Sequence, residues 1–358
     1  MSYDPSHTFP HPAKIIGAAV AGGHIPGVVA AAGRGPATLA SWVAGQADST
    51  PDHSRAMSAD TVFDLASLTK VVATTTATLA LAGQGELGLG DPVTRYLPGF
   101  VACREGPVTV RHLLTHTAGL PDTRKFFEWW GTRAELLRDL LATPLSAPPG
   151  TRVRYSDLGF IALGEIIATV TGQPLDAAVR RLVTEPLGLA STGFTPAAAA
   201  DRFAATERRA DGSSWTGIVH DENARLMGGI AGHAGLFSTV ADLARFAGWW
   251  VSAADGPVPA RLRRAAETCR TAGLGGRRGL GWVCTGDRYD ILGGHWPASA
   301  VTHTGFTGTS LALDAPSGGW VVLLANSVHF GRDNTAIKQL RRDVHEAVAA
   351  DLFGRAAG

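Results

Sequence analysis

The chain has 358 residues, with 32 basic and 31 acidic side chains, 45% apolar residues and 18% charged ones. It is long enough to bury a large core and too apolar for a disordered chain. A formal net charge of +1 leaves no basic field for nucleic acid and no polybasic patch for a membrane surface.

The N-terminus, MSYDPSHTFPHPAK, lacks a basic stretch followed by an apolar one, so no secretory signal is expected and the reading is cytoplasmic. A short helix is expected over 13–22. The segments 26–33 and 37–46 alternate apolar and small residues between Gly and Pro, as a hairpin does. A strand over 61–65 is followed by a helix from Ser67 to Gly83. Its apolar run, Val71 to Ala82, is broken by threonines and is too short to span a bilayer. Helices follow near 108–116, 132–143, 157–171, 174–186 and 240–253. Strands are expected at 280–285, 289–293, 308–314 and 319–326, and a last helix over 333–352. Strands at both ends around a helical middle predict an α+β fold. Residues 1–85 and 275–358 would form an antiparallel sheet flanked by helices, and 86–274 an inserted, mainly helical domain. Cys103, Cys269 and Cys284 show no CxxC spacing and read as reduced thiols, without zinc or a disulfide.

Common nucleophile and nucleotide motifs are missing: there is no GxSxG, no GxxxxGK[ST] and no HExxH. Ser67-Leu68-Thr69-Lys70 is different. At the start of a helix it puts a hydroxyl and an amine on one face, a turn apart. A serine needs a base to act as a nucleophile, and a desolvated lysine can serve where an arginine cannot. Only four of the 32 basic residues are lysines (Lys14, Lys70, Lys125 and Lys338), so a lysine kept beside this serine is informative. A second element is Tyr155-Ser156-Asp157, at the start of the helix after Pro148-Pro149-Gly150. Tyr155 there can shuttle a proton, and Asp157 can hydrogen-bond Lys70; alternatively Asp157 is an N-cap and Tyr155 a core residue. A third is His303-Thr304-Gly305, between strand-like segments. An edge strand there would offer the Phe306 N–H as an oxyanion donor, Gly305 would allow close approach, and His303 and Thr304 would bind a carboxylate or the reacting oxygen.

Taken together, the ordered triple resembles the serine β-lactamase and penicillin-binding-protein superfamily, in its class C-like branch. Other segments are similar too: Phe63-Asp64-Leu65-Ala66 before the nucleophile, Arg111 to Pro121, Ala231 to Thr239, and Gly279-Leu280-Gly281-Trp282. The resemblance covers roughly residues 12 to 350. It implies a β-lactamase/transpeptidase-like fold with the active site in a cleft beside the helical domain. It implies Ser67 as the acylated nucleophile, Lys70 as its basic partner and Tyr155 as the catalytic tyrosine, with N–H groups of Ser67 and Phe306 as the oxyanion hole. His303, Thr304 and Gly305 would line the site. Two positions depart from the β-lactamase pattern. Asp157 stands where Asn is usual, and its charge would favour the protonated amine of Lys70. His303 stands where β-lactamases carry Lys, as in actinomycete peptidases and some amidases and esterases.

The expected activity is therefore cofactor-free and metal-free serine acyl transfer on a small-molecule ester or amide. Hydrolysis is the first reading. Transfer to an amine or alcohol acceptor in a biosynthetic pathway is the alternative, and the missing signal argues against a D-Ala-D-Ala peptidase or a true β-lactamase. His112, His116, His220 and His233 fit no standard metal spacing and read as structural, with His220 a candidate for the cleft border. Phe126, Phe127, Trp129 and Trp130 read as core, or as the wall of an apolar pocket.

Overall fold

A computed structural model describes residues 9–100 and 106–354; Cys103 lies outside these. Helix α1 (Pro10–Ala21) leads into β1 (Gly27–Arg34), β2 (Ala37–Asp48), β3 (Arg55–Ala56) and β4 (Phe63–Asp64). The next helix has three parts: a 3₁₀ turn (Ala66–Leu68), a π-helical segment (Lys70–Thr75) and α2 (Thr76–Gln84). The middle holds α3 (Val110–Leu114), α4 (Arg133–Ala142), α5 (Asp157–Thr171), α6 (Leu175–Val179), β5 (Ala205–Arg208), β6 (Ser214–Thr216), α7 (Glu222–Leu226), β7 (Phe237–Ser238), α8 (Val240–Val251) and α9 (Ala260–Glu267). The chain closes with β8 (Val283–Cys284), β9 (Val301–Thr304), β10 (Ser310–Asp314), β11 (Gly319–Ala325) and α10 (Ala336–Phe353).

Seven strands form one antiparallel sheet in the order β3-β2-β1-β11-β10-β9-β8. The first strand thus pairs with the last, Ala31 opposite Val322. Every residue of β11 is buried, as are all of β1 except Arg34, because both sheet faces are covered. Val28, Ala30, Val321 and Leu323 face a layer built with Ile16 of α1 and Leu340, Val344 and Val348 of α10. Val29, Ala31, Val322 and Leu324 face the other layer, with Phe246 and Trp250 of α8. A strand buried on both faces reads as a continuous apolar run rather than an alternation. The α8 helix, inside the middle segment of the sequence, packs directly on β11 and β1.

The helix from Ala66 runs through the core, and its threonines are accommodated by hydrogen bonds rather than exposure. Thr74 donates to Gly232 O at 2.6 Å, Thr76 to Val71 O at 2.8 Å and Thr78 to Thr74 O at 2.7 Å. Among the described residues no single helix is long and apolar enough to cross a membrane.

Two expected elements differ. The segment 289–293 is a loop, not a strand. Asp290 accepts from the N–H groups of Gly286 and Leu292, both at 2.8 Å, and this side-chain bonding competes with a ladder. The strand expected over 280–285 shrinks to β8, because Gly281 takes φ 79° and its N–H turns away to Leu114 O. Cys269 and Cys284 are free thiols.

Candidate active site

Ser67, Lys70, Tyr155 and Asp157 come together at one point. The backbone that delivers Ser67 is unusual. Ala66, just before it, takes a left-handed φ of 45°, a conformation that costs a side-chain-bearing residue about 1–3 kcal/mol. Asp64 holds it there. Its buried carboxylate accepts from Ala66 N at 2.8 Å and from His220 N at 2.7 Å. Burial pushes the Asp64 carboxyl up, against those two donors. Thr307 and Thr309 donate to the carbonyls of Asp64 and Leu65 at 2.7 and 3.0 Å, tying the same strand to the turn after β9.

Lys70 is fully buried. An ammonium has three protons, and here each has an acceptor: Ser67 Oγ at 2.9 Å, His233 O at 2.8 Å and Asp157 Oδ1 at 2.9 Å. Burial alone would push this amine down, but the Asp157 carboxylate and the Tyr155 oxygen outweigh it and hold it above its ordinary value. The resting site therefore contains an ammonium donating to Ser67, and the serine proton is free to point elsewhere. Tyr155 stands beside both: the Lys70 ammonium lies 5.1 Å from the centre of its ring, and it lines the same cavity as Ser67. Burial raises its phenol and Asp157 raises it further, against the pull of Lys70.

Ser156, not Asp157, is the N-cap of α5, accepting from Gly159 N at 3.4 Å. This frees the Asp157 carboxylate in the first turn to reach Lys70. Tyr155 is set by His116, itself in a left-handed turn at φ 56°. The His116 carbonyl accepts from Arg154 N at 2.8 Å, its Nδ1 accepts from Ser156 N at 3.0 Å, and its ring lies 4.6 Å from that of Tyr155. Burial, with the charges of Arg278 and Lys70, holds this imidazole well below its ordinary value.

His303, Thr304, Gly305 and Phe306 line the same cavity as Ser67 and Tyr155, of about 540 Å³. β9 is the second strand of the sheet rather than its edge. Its outer neighbour β8 pairs only with Val301 and Thr302, so the strand lies open to the cleft from His303 onward. A Cβ on Gly305 would run into Leu65 O and Thr309 Oγ1, so only glycine fits. The Phe306 N–H meets no main-chain acceptor among the described residues. The Ser67 N–H lies in a first helical turn, where donors lack intrahelical partners. His303 is buried and donates from Nδ1 to Thr304 O at 2.9 Å, which leaves Nε2 a bare acceptor with no partner among the described residues.

Several residues that sequence reasoning did not place at the site also belong to it. Arg278 lines the cavity and pairs with Asp287 at 3.1 Å, but its Nε and Nη1 have no partner among the described residues. Arg341 of α10 lines it too, held by the carbonyls of Gly305 and Thr309 at 2.5 and 2.8 Å. His233 supplies a carbonyl to Lys70 while its Nε2 meets Asp221 at 2.9 Å. A detectable signal did exist for Arg341: it sits on the apolar stripe of α10 with Ile337, Leu340 and Val344.

The remaining candidates take other places. His220 stacks on Phe306 at 5.7 Å, at the cleft border. His112 closes a capping box at α3. Phe126 is buried, Phe127 and Trp129 are exposed, and the Arg124 guanidinium lies over the Phe126 and Trp129 rings.

Comparison with known proteins matches residues 13–346 to the Beta-lactamase family model. The chain is 34% identical over 304 residues to a protein of Escherichia coli (strain K12) named putative D-alanyl-D-alanine carboxypeptidase, covering 75% of this chain and 70% of that one. It is 32% identical over 318 residues to the N-acetylmuramyl-L-alanine amidase of Bacillus subtilis (strain 168), covering 76% and 69%. Its fold is similar to that of EstCE1, a hydrolase with promiscuous acyltransferase activity, with a TM-score of 0.79 at 24% identity over 95% of this chain and 99% of that one.

Proposed function

The chain belongs to the Beta-lactamase family, and from that premise we propose that it is a serine hydrolase working through an acyl-enzyme on a small amide or ester. The observation that carries this reading is the contact between Ser67 Oγ and the buried Lys70 ammonium, with Tyr155 beside both. Lys70 and Tyr155 lie against each other, the ammonium 5.1 Å from the ring centre, and the base in this reading is the couple after it has lost one proton. In that state Ser67 gives its proton to the couple and Oγ attacks the substrate carbonyl carbon. The oxyanion that forms is received by the N–H groups of Ser67 and Phe306. The bond to the leaving group breaks as the couple returns the proton to it. Water then loses a proton to the couple, attacks the acyl carbon and frees the acid, while Ser67 Oγ takes the proton back. His303, Thr304 and Gly305 position the substrate.

The carboxypeptidase and amidase relatives both carry names for the cleavage of amide bonds, which favours an amide over an ester. A second reading, acyl transfer to an amine or alcohol in place of water, is supported by the promiscuous acyltransferase activity of EstCE1. The test is incubation with p-nitrophenyl esters and a fluorescent penicillin, followed by mass spectrometry, with Ser67→Ala beside the wild type. An acyl adduct confined to the wild type is expected. Neither adduct nor turnover in the wild type sinks the assignment of Ser67. Faster release of nitrophenol on adding amines decides for transfer.

A further inference from the structure

The chain as a whole is almost neutral, yet its cleft is not. Two cavities meet at a shared wall made by Tyr155, Tyr289 and Phe306. The first, holding Ser67, is bordered by Lys338 and Arg341 of α10 and, against Tyr155 and Tyr289 of the shared wall, by Arg278. The second, on the α5 side, is lined by Arg152, Arg154 and Arg288. The acids lining the two cavities do not balance these six cations. Asp157 is engaged by Lys70, Asp122 lies 3.5 Å from Arg154, and Asp333 stands alone in the first cavity. Arg332, also at the first cavity, is already bound by Glu207 and Glu222.

Partners are missing where they would be most needed. Arg341 is buried, holds only two main-chain carbonyls, has an unpartnered Nε and has no carboxylate among the described residues. Burial pushes its guanidinium down to about 9. Arg278 leaves two nitrogens unpartnered beside the same space. Arg288 and Arg152 face no acid either among the described residues; Arg288 lies over the Tyr289 ring at 4.7 Å and Arg152 donates to Ser146 O at 3.0 Å. A buried cation without a counter-ion is costly, and a cleft of one sign concentrates ligands of the other. That cost is relieved when an anion arrives.

We propose that the substrate carries negative charge on both sides of its scissile carbonyl, one anionic group for the Lys338–Arg341 side and one for the Arg152–Arg154–Arg288 side. The ligand class is a dicarboxylate-type amide or ester, with one carboxylate on the acyl portion and one on the leaving portion. This rests on Ser67 as the point of attack: Ser67 lines the first cavity, and Tyr155, which lines both, forms part of the wall across which the substrate would extend.

Four amides test it, titrated calorimetrically into the Ser67→Ala protein: N-succinylglycine with a carboxylate on each side, N-acetylglycine and N-methylsuccinamate with one each, and N-methylacetamide with none. The dianion is expected to bind at least about tenfold tighter than either monoanion, and to weaken most as salt rises from about 50 to about 500 mM. Arg288→Gln and Lys338→Gln change exposed side chains, so folding is not at risk. Each is expected to weaken one monoanion several-fold and to spare the other. The proposal is overturned if the neutral amide binds as well as the dianion, or if both variants weaken the same monoanion. Failure of the nucleophile assignment looks different: the dianion still binds with the expected charge preference, but wild type forms no acyl adduct.

Discussion

On the helix side of the cleft, the Lys70 ammonium meets three acceptors within 2.9 Å, one of them the serine it serves. On the sheet side, His303 Nε2, Arg278 Nε and Nη1 and Arg341 Nε are buried without a partner among the described residues. A saturated cluster holds its geometry before the substrate arrives, whereas unpartnered groups gain their bonds only from a ligand. In the proposed mechanism the helix side then carries the chemistry and the sheet side the recognition. Substitutions on the two sides should fail differently.

The sharpest break is Lys70→Arg. It keeps the charge but gives a group that does not deprotonate and cannot fit three acceptors arranged around one nitrogen. The expected loss in kcat is about 10³-fold, read by ester turnover. An active Lys70→Arg enzyme would refute the base assignment. Gly305→Ala comes next, and it strikes the seam between the two sides. The added methyl would press on Leu65 O and Thr309 Oγ1, forcing the β9 turn away from the segment that leads into Ser67. About 1–3 kcal/mol of stability should go, with a fall in kcat of about 10²-fold. Thermal unfolding and kinetics read both. Unchanged values would mean that the seam yields without cost.

Legibility in the sequence divides along the same line. Ser67 and Lys70 are readable because three residues on a helical turn already fix their meeting. Tyr155 and His303 are readable through short motifs, and the strand-helix-strand order points to the antiparallel sheet. Asp64, His233, Arg278 and Arg341 are not, since each acts through contacts that the fold brings from far along the chain. Asp64 meets His220 N, and Arg341 meets Gly305 O. The loop at 289–293 reads as a strand when apolar Ile291 and Leu292 are weighed without the backbone-bonding carboxylates of Asp287 and Asp290.

Asp157→Asn sharpens the comparison within the helix side. The carboxylate raises both Lys70 and Tyr155, so removing it lowers both, whichever is the base. The rising limb of kcat/KM should move toward lower pH, and activity at neutral pH should rise accordingly. A limb that stays fixed or moves upward contradicts the electrostatic role of Asp157. Adding Tyr155→Phe to the variant separates the two bases, since a surviving limb belongs to Lys70.

The smallest effect concerns His303, and it is an expected constancy. Burial, together with the charges of Lys70 and Arg278, holds its imidazole well below the ordinary histidine range. Its Nδ1–H is committed to Thr304 O, so the ring presents a bare Nε2 to the cavity. The ring should therefore stay neutral and in one tautomer from about pH 5.5 to 8, and its NMR signals should not titrate there. kcat/KM should show no imidazole step from this residue. Arg278→Gln removes one of the charges that hold the ring down, so His303 should then titrate at a higher pH than in the wild type. A wild-type His303 that titrates near 6.5 would mean that the sheet side already holds a counter-charge, and its unpartnered cations would no longer require an anionic ligand.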